Sequence, residues 1–332
     1  MIYLALPVSR RRLSFYLAAE EWAARVLPPD DYFFAWRVEP TVICGRNQEI
    51  DKEIDLDYCR REGIDIMRRK SGGGAVYADL DNYMFSYICP DAGGIQQTFA
   101  RYTTMVADML RSLGIDAAAN GRNDIVAGGR KISGNAFYHL PGRAIAHGTM
   151  LYHFDAERLG KALTPSRAKL ESKAVVSVNS RVTSLMEQGL NMGHEEFENY
   201  AVNFLCTDEL TVDADGVEQI AEIEKTYLTP EHLYGRRLSH PEPGGDAIVR
   251  SRYLDGVGEM TLRLVLDNNG SIVATSLSGD FLLTGDPEQC FMKRLKGLPY
   301  RRDALAGALD GTDPSRAVAG LSARQLTDLL ID

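Results

Sequence analysis

The 332-residue sequence predicts an α+β fold, in which a large mixed or antiparallel sheet with flanking helices precedes a small α+β C-terminal domain. Predicted strands follow one another mostly through hairpin turns, whereas parallel-sheet proteins alternate strand and helix. Hydrophobic residues make up 45% of the chain and charged residues 25%, as is typical of globular proteins. Because this length exceeds what one hydrophobic core usually serves, we expect two domains.

The first quarter of the chain is predicted to mix helices and short strands. Residues 14 to 27 place apolar side chains at helical spacing, which predicts one broad buried face. Residues 57 to 63 form a second predicted helix, with Asp55 as its N-cap and Gly63 as its stop. The predicted strands are the short apolar runs FFAWRV and TVICG on either side of Pro40, and IDIMRR at residues 64 to 69.

The middle of the chain is predicted to be rich in hairpins. AVYADLDNYMFSYI is predicted as strand, turn and strand, and a helix at residues 97 to 113 then ends at Gly114. DIVAGGRKISGNAFY forms a predicted hairpin with Gly128 and Gly129 at its tip, and AIAHGTMLYHF supplies the next strand. Further helices are predicted near residues 155 to 163, 194 to 206 and 216 to 226.

A change of composition at residues 229 to 246 indicates the domain boundary, because this stretch contains three prolines and three glycines. We therefore predict a larger domain at residues 1 to 240 and an accessory domain at residues 247 to 332. The accessory domain opens with a hairpin that turns at Asn268, Asn269 and Gly270. Helices at residues 287 to 296, 301 to 309 and 322 to 331 are predicted to follow.

The charge and cysteine content exclude several classes of protein. A formal net charge of −9 argues against a broad nucleic-acid surface, which requires a basic stripe. The five cysteines show no CxxC spacing, so we expect a reduced, intracellular protein without a zinc site. The N-terminus does not have the charge order of a secretory signal, and no apolar run reaches the roughly eighteen residues of a membrane span. These observations predict a cytoplasmic protein.

Two basic, glycine-rich stretches predict an anion site. RRKSGGGAVY, at residues 68 to 77, places three consecutive glycines beside basic side chains. Glycine lets the backbone approach a ligand closely, so that successive N–H groups converge on negative oxygens. GRNDIVAGGRKISGNAFYHLPGRAIAHGT, at residues 121 to 149, adds Lys131 between small residues. An isolated triglycine usually marks a flexible turn, but the pair of motifs favours a binding site.

These motifs resemble, in order and spacing, the signatures of the lipoate-protein ligase A family, within the biotin/lipoate protein ligase superfamily. WRVEPTVICGRNQ, AHGTMLYHFD, GDFLLTGD and LKGLPYRRDAL extend the resemblance over nearly the whole chain. It implies an ATP- and Mg²⁺-dependent enzyme that converts lipoate to lipoyl-AMP. In a second step the enzyme transfers the lipoyl group from lipoyl-AMP to a lysine of a carrier domain. We expect it to act as a monomer. The implied carriers are lipoyl domains of 2-oxoacid dehydrogenase complexes or the glycine cleavage H protein.

Lys131 is the candidate catalytic residue. Attack of a carboxylate on the α-phosphate brings two anions together, so the site must supply positive charge and fixed N–H donors. A flexible ammonium group can contact both the carboxylate and the α-phosphate, and can then hold the mixed anhydride. The alternative is a solvated charge at the edge of a hairpin.

The resemblance also implies binding roles for other residues. It implies contacts with the nucleotide for Arg69, Gly73, Asn123, Asp124 and Lys131, and for the backbone of Gly74, Ala75, Val76 and Tyr77. It implies contacts with lipoate for Lys131, Arg46, Trp36, Ser71, Gly74, Gly134 and His147. Asp124 is the candidate Mg²⁺ ligand, because a cation that keeps several waters suits a phosphate site with few carboxylates.

Several of these residues have equally ordinary structural interpretations. Asn123 and Asp124 are also typical of an Asx-turn before a strand. His147 is alternatively a core histidine that donates to the backbone, and Trp36 is alternatively plain core. The chain also departs from the family pattern, with Ala78 where a histidine is common and Asp81 where a glycine is common.

Three alternative functions fit the sequence less well than the ligase. An octanoyl or lipoyl transferase acting between carrier proteins shares the scaffold, but its cysteine-dependent branch needs a thiol near GRND. The sequence has no cysteine between Cys89 and Cys206. A biotin-protein ligase would carry a GRGRxGR-type loop, and RRKSGGG stands in its place. A non-catalytic lipoate-binding homologue is supported only by Ala78 and Asp81.

Overall fold

A computed structural model describes residues 1–7, 10–91, 94–120, 123–164, 181–239 and 247–331. The strands that it describes are β1 (Ile2–Ala5), β2 (Tyr32–Trp36), β3 (Thr41–Cys44), β4 (Asp65–Arg68), β5 (Val76–Ala78), β6 (Asn82–Pro90), β7 (Ala117–Asn120), β8 (Asp124–Ala127), β9 (Arg130–Leu140), β10 (Arg143–Leu151), β11 (Asp208–Thr211), β12 (Ala247–Leu254), β13 (Gly258–Leu266) and β14 (Ile272–Gly279). The α-helices that it describes are α1 (Leu13–Val26), α2 (Ile50–Glu53), α3 (Leu56–Glu62), α4 (Gly94–Ser112), α5 (Ala156–Ala162), α6 (His194–Leu205), α7 (Ala214–Tyr227), α8 (Pro230–Ser239), α9 (Lys293–Leu295), α10 (Arg302–Leu309) and α11 (Ala323–Ile331). A π-helical turn (Glu288–Met292) and a 3₁₀ turn (Pro314–Arg316) complete the helical segments described.

Eight strands form one mixed sheet, in the order β11-β1-β2-β6-β10-β9-β8-β7. β1 runs parallel to both β11 and β2, and the remaining neighbours in this sheet are antiparallel. The predicted hairpin is present, since β8 and β9 pair across Gly128 and Gly129, which both have positive φ. The α+β class predicted from the sequence is confirmed.

The two faces of this sheet bury different sets of side chains. Along β6, Tyr83, Phe85 and Tyr87 lie in one core cluster, and Met84 and Ile88 lie in the other. This alternation follows from the period of two in a strand. Helix α1 packs on β6, β10 and α7, whereas α4 packs on β7, β8 and β10. Helices therefore cover both faces.

A second sheet of three strands, in the order β4-β3-β5, carries the triglycine segment. β3 lies in the centre, parallel to β4 and antiparallel to β5. The segment from Arg69 to Ala75 therefore crosses from one edge of this sheet to the other. The strands on either side of Pro40 lie in different sheets, as do β5 and β6, so neither pair forms a hairpin.

The C-terminal segment forms an antiparallel sheet, β12-β13-β14, packed against helices. β13 and β14 are the predicted hairpin, and β12 was not predicted. Hydrogen bonds join this unit to the rest of the chain, among them those from Gly279 N to the Asn47 carbonyl (2.9 Å), from Gly73 N to the Phe281 carbonyl (3.1 Å) and from Ser278 Oγ to Glu49 Oε1 (2.8 Å).

The stretch predicted to contain the domain boundary, residues 229 to 246, is partly helical. α8 begins at Pro230, where the fixed φ of proline suits the first helical position and the missing N–H costs nothing. The rest of that stretch, residues 240–246, lies outside the described residues. No described helix combines the length and the hydropathy that crossing a bilayer demands.

Candidate active site

A cavity of about 340 Å³ brings together both sequence motifs. Apolar side chains that line it include Leu13, Leu17 and Trp36. Of the predicted site residues, those on its wall are Trp36, Arg69, Gly73, Gly74, Ala75, Val76, Asn123, Asp124, Lys131, Gly134 and His147. The accessory unit contributes Tyr253, Gly258, Asp280 and Leu282. An apolar slot and a set of polar groups therefore share one cavity, as in many small-molecule sites.

The buried side chain of Arg69 donates hydrogen bonds to the backbone of the triglycine loop. Its Nη2 donates to the carbonyls of Gly72 (2.7 Å) and Gly74 (2.8 Å), and its Nη1 donates to the carbonyl of Ile43 (3.1 Å). Its Nε donates to Ser71 Oγ (3.0 Å). Burial lowers the pKa of the guanidinium to about 10. A nucleotide contact by Arg69 stays a prediction, because these contacts use the guanidinium to shape the loop.

The loop requires glycine at two places for different reasons. Gly73 has a φ of +90°, which side chains rarely adopt. A Cβ on Gly45 would lie 2.0 Å from the Gly73 carbonyl oxygen, so the turn after β3 must also lack a side chain. The close approach of these two backbones explains the glycine in TVICG, which the sequence interpretation did not address.

Lys131 projects from β9 across the β8–β9 hairpin. Its Nζ lies 2.7 Å from Asp124 Oδ1, and the two side chains are 37% and 33% exposed. A Cβ on Gly134 would lie 2.6 Å from both Cε and Nζ, so the lysine side chain lies directly against this glycine. The ammonium is thus an accessible, paired cation on the cavity wall, and its catalytic role stays a prediction.

The side chain of Asn123 bonds to β9. Its Nδ2 donates to the Asn135 carbonyl, and Asn135 Nδ2 donates to the Asn123 carbonyl, both at 2.9 Å. A Cβ on Gly148 would lie 1.8 Å from Asn135 Oδ1, which explains the glycine in AHGT. These reciprocal bonds fix the backbone next to Asp124.

His147 belongs to a buried side-chain network. Its Nδ1 lies 2.9 Å from both carboxylate oxygens of Glu20, and its Nε2 lies 2.6 Å from Ser71 Oγ. Ser86 Oγ donates to Glu20 Oε1 (2.6 Å) and accepts from Trp36 Nε1 (2.9 Å). His147 therefore bonds to side chains, not to the backbone as one interpretation expected. Glu20 and Ser86 were missed, because in the sequence Glu20 is an ordinary polar position on a helix.

Three predicted residues do not line this cavity. Tyr77 packs with Val42 and Cys44, because successive residues of a strand face opposite sides and Val76 faces the cavity. Ser71 lies beneath the loop and is 1% exposed. Arg46 lines a neighbouring cleft of about 1250 Å³ between the two units.

The two departures from the family pattern also lie away from the cavity wall. Ala78 is buried in β5, and Asp81 Oδ1 lies 3.3 Å from His194 Nε2. No cysteine occurs among the residues that line the cavity, and Cys89 is buried in β6. Within the described ranges, no three His, Cys, Asp or Glu side chains are grouped so that they could hold a metal ion.

In comparison with known proteins, both parts of the chain match models of lipoate protein ligases. A model of the lipoyl protein ligase A/B catalytic domain matches residues 13–205, and a model of the bacterial lipoate protein ligase C-terminus matches residues 247–330. Lipoate-protein ligase LplJ of Bacillus subtilis is 33% identical over 322 residues, which cover 95% of each chain.

Two solved structures resemble the larger part of the chain. The bi-partite lipoate protein ligase of Thermoplasma acidophilum, described together with its E2 lipoyl domain, is 27% identical with a TM-score of 0.63 and covers 71% of this chain and 97% of its own. A lipoate-protein ligase A bound with ATP is 27% identical with a TM-score of 0.60 and covers 70% of this chain and 99% of its own. The chain therefore belongs to the lipoate-protein ligase family.

Proposed function

We propose that this enzyme activates lipoate with ATP to form lipoyl-AMP, and then transfers the lipoyl group to a lysine of a carrier domain. The observation that carries the proposal is the shared cavity, which places Lys131, the triglycine loop and an apolar slot within reach of one another. The ATP complex of a related ligase supports the choice of nucleotide.

The chemistry follows from charge. The carboxylate of lipoate and the α-phosphate of ATP repel each other, so a cation that contacts both lowers the barrier. We assign this role to Lys131, whose Nζ leaves Asp124 for the substrates. N–H groups of Gly74 and Ala75 supply fixed donors to the phosphates. Leu13, Leu17 and Trp36 are among the apolar residues that surround the methylene chain.

Mg²⁺ suits the same site. When bound with the nucleotide, Mg²⁺ neutralises phosphate charge, and it needs few protein ligands because it keeps several waters. The donor set next to Lys131 contains the carboxylate of Asp124, which is one third exposed and fits this requirement. We propose Asp124 as its protein ligand, beside the backbone that Asn123 fixes.

The proposed acceptors are lipoyl domains of 2-oxoacid dehydrogenase complexes, with the glycine cleavage H protein as a further candidate. The E2 lipoyl domain that accompanies the T. acidophilum ligase supports the first of these. We further propose that the chain acts as a monomer with domains at residues 1 to 240 and 247 to 332.

One assay tests the function directly. Purified protein is mixed with ATP, Mg²⁺ and lipoate, and pyrophosphate release is followed. Release that depends on lipoate supports the ligase. Acyl transfer from a carrier thioester without ATP would instead indicate a transferase, and inactivity in both assays would indicate a binding protein.

Substituting Gly134→Ala is expected to slow lipoate activation about tenfold, since a misplacement of about 1 Å can cost up to about 10²-fold. The new Cβ would lie 2.6 Å from Lys131 Nζ and would push the ammonium aside without removing its charge. Gly160→Ala is the control, because its Cβ would meet no atom within 4 Å. Equal rates for the two variants would contradict the proposed position of the ammonium.

Removing residues 247–332 is expected to reduce activation at least about tenfold more than transfer from preformed lipoyl-AMP, because activation needs the substrates held in an enclosed site. Tyr253, Asp280 and Leu282 close the cavity in the intact chain. Rates of pyrophosphate release and of carrier lipoylation separate the two steps. Adding the separate fragment should restore activation, and equal loss in both steps would contradict this division of roles.

A further inference from the structure

One residue of the accessory unit, Asp280, lies between two backbone hydrogen bonds that join this unit to the larger part of the chain. On one side of it, Gly279 N donates to the Asn47 carbonyl (2.9 Å). On the other side, the Phe281 carbonyl accepts from Gly73 N in the triglycine loop (3.1 Å). Asp280 itself lines the cavity that holds the candidate active site. Both of its chain neighbours therefore fix its place on the cavity wall.

The ends of β13 and β14 orient the Asp280 carboxylate. Its Oδ1 accepts from the Glu259 N–H (2.6 Å). A Cβ on Gly258 would lie 2.5 Å from that oxygen, and one on Gly279 would lie 2.0 Å from the Glu259 carbonyl oxygen, so both residues must lack side chains. A carboxylate has about four acceptor positions, and the Glu259 N–H takes one of them. The group is thus oriented and can accept further hydrogen bonds from a ligand.

A second carboxylate on this wall limits what can lie next to it. Asp124 and Asp280 are the acidic side chains among the described residues that line the cavity. Asp124 lies 2.7 Å from Lys131 Nζ and is the proposed Mg²⁺ ligand. A carboxylate repels phosphate oxygens, so Asp280 does not suit the phosphates of ATP. It suits an uncharged part of the substrates that donates hydrogen bonds.

The ribose of ATP meets both requirements. It is joined covalently to the α-phosphate, and Asp280 is next in sequence to the residue whose carbonyl holds the triglycine loop. The 2′ and 3′ hydroxyls are vicinal donors, and an acidic side chain accepts from a ribose hydroxyl in dinucleotide-binding folds. The amino group of adenine is a donor as well, but it lies further from the α-phosphate. Ribose is therefore the better match for Asp280.

We propose that Asp280 is a specificity-determining residue for the nucleotide, whose carboxylate accepts hydrogen bonds from the 2′ and 3′ hydroxyls of ATP. This inference rests on the proposed function. It gives the accessory unit a direct contact with the nucleotide during activation, in addition to closing the cavity. A purely structural Asp280 would affect ATP and an analogue without these hydroxyls equally.

The test combines a variant with an analogue. Full-length wild type and Asp280→Asn are titrated with ATP and with 2′,3′-dideoxy-ATP in a calorimeter. Asparagine keeps an oxygen for the Glu259 N–H and replaces the other oxygen with an NH₂ group. The Kd for ATP should rise about tenfold or more in Asp280→Asn, because hydrogen bonds to a charged acceptor are lost. Wild type should bind the analogue more weakly by a similar factor, whereas the Kd values of the variant for the two nucleotides should agree within about threefold.

Asp286→Asn is the matched control. Asp286 Oδ1 also accepts from a backbone N–H, that of Glu288 (2.9 Å), but Asp286 lines the neighbouring cleft and not this cavity. This variant should prefer ATP over the analogue as strongly as wild type does. Equal binding of the two nucleotides by wild type would overturn the proposal, and this result does not depend on the folding of any variant. A folded Asp280→Asn that kept the wild-type preference would overturn it too. So would an equal loss for both nucleotides with a raised Mg²⁺ requirement, which would place Asp280 at the metal.

The binding measurement also separates this inference from the proposed function. Wild-type protein that prefers ATP through Asp280, yet releases no pyrophosphate with lipoate, would refute the ligase activity and leave the ribose contact intact. An active enzyme that binds and uses 2′,3′-dideoxy-ATP as well as ATP would refute the contact alone.

Discussion

Lys131→Ala is expected to lower the rate of lipoate activation by about 10²-fold or more, the usual effect of removing a preorganised electrostatic group. The ammonium lies on the cavity wall beside Asp124, and the substrates to be joined are both anions. Pyrophosphate release at saturating ATP and lipoate measures the effect.

The neighbouring arginine provides the matched control. Arg130 is 35% exposed, pairs with Glu187 at 2.9 Å and does not line the cavity. Exposed ion pairs contribute at most about 1 kcal/mol, so Arg130→Ala should keep activity and stability close to wild type. If the Lys131 and Arg130 variants lost activity equally, the special role of Lys131 would have to be abandoned.

Arg69→Met is expected to lower the free energy of unfolding by about 3 kcal/mol or more, since each buried carbonyl left without a donor costs about 1–3 kcal/mol. The guanidinium donates hydrogen bonds to the carbonyls of Ile43, Gly72 and Gly74, and the methionine side chain has no donor that could replace it. Urea unfolding measures this loss. ATP binding should weaken as well, because the triglycine loop would lose its fixed shape.

An exposed arginine separates this effect from a general loss of charge. Arg60, on α3, is 76% exposed and pairs only with Asp57 among the contacts described. Arg60→Met should change the free energy of unfolding by no more than about 0.5 kcal/mol. Similar changes in the free energy of unfolding for both variants would mean that the Arg69 hydrogen bonds contribute little to stability. The fixed shape of the triglycine loop would then need another explanation.

Helices were predicted well because their signals are local. The helix α3 illustrates this, since Asp55 accepts from Tyr58 N at 2.8 Å and Gly63 ends the helix with a φ of +66°. Strand partners were predicted poorly where pairing is distant in sequence. Ile2–Ala5 pairs with Asp208–Thr211, and neither strand was expected. No pattern within either short segment identifies its partner.

The same contrast holds at the site. Lys131, Gly73 and Asp124 stand in contiguous motifs, and the structure brings them to one cavity. Glu20 was not found, because its bonds to Ser86 and His147 join a helix to two strands of the sheet. The backbone of Tyr77 was assigned to the nucleotide site with its neighbours along the motif, and this stays a prediction, because strand geometry turns only the Tyr77 side chain to the opposite side.

The central claim is that one ammonium neutralises both substrates. A crystal structure of the protein with lipoyl-AMP tests it most directly. We expect Lys131 Nζ to lie within about 3 Å of both an α-phosphate oxygen and the acyl carbonyl oxygen. A lipoyl-AMP complex in which Nζ still pairs with Asp124, or points into solvent, would contradict it.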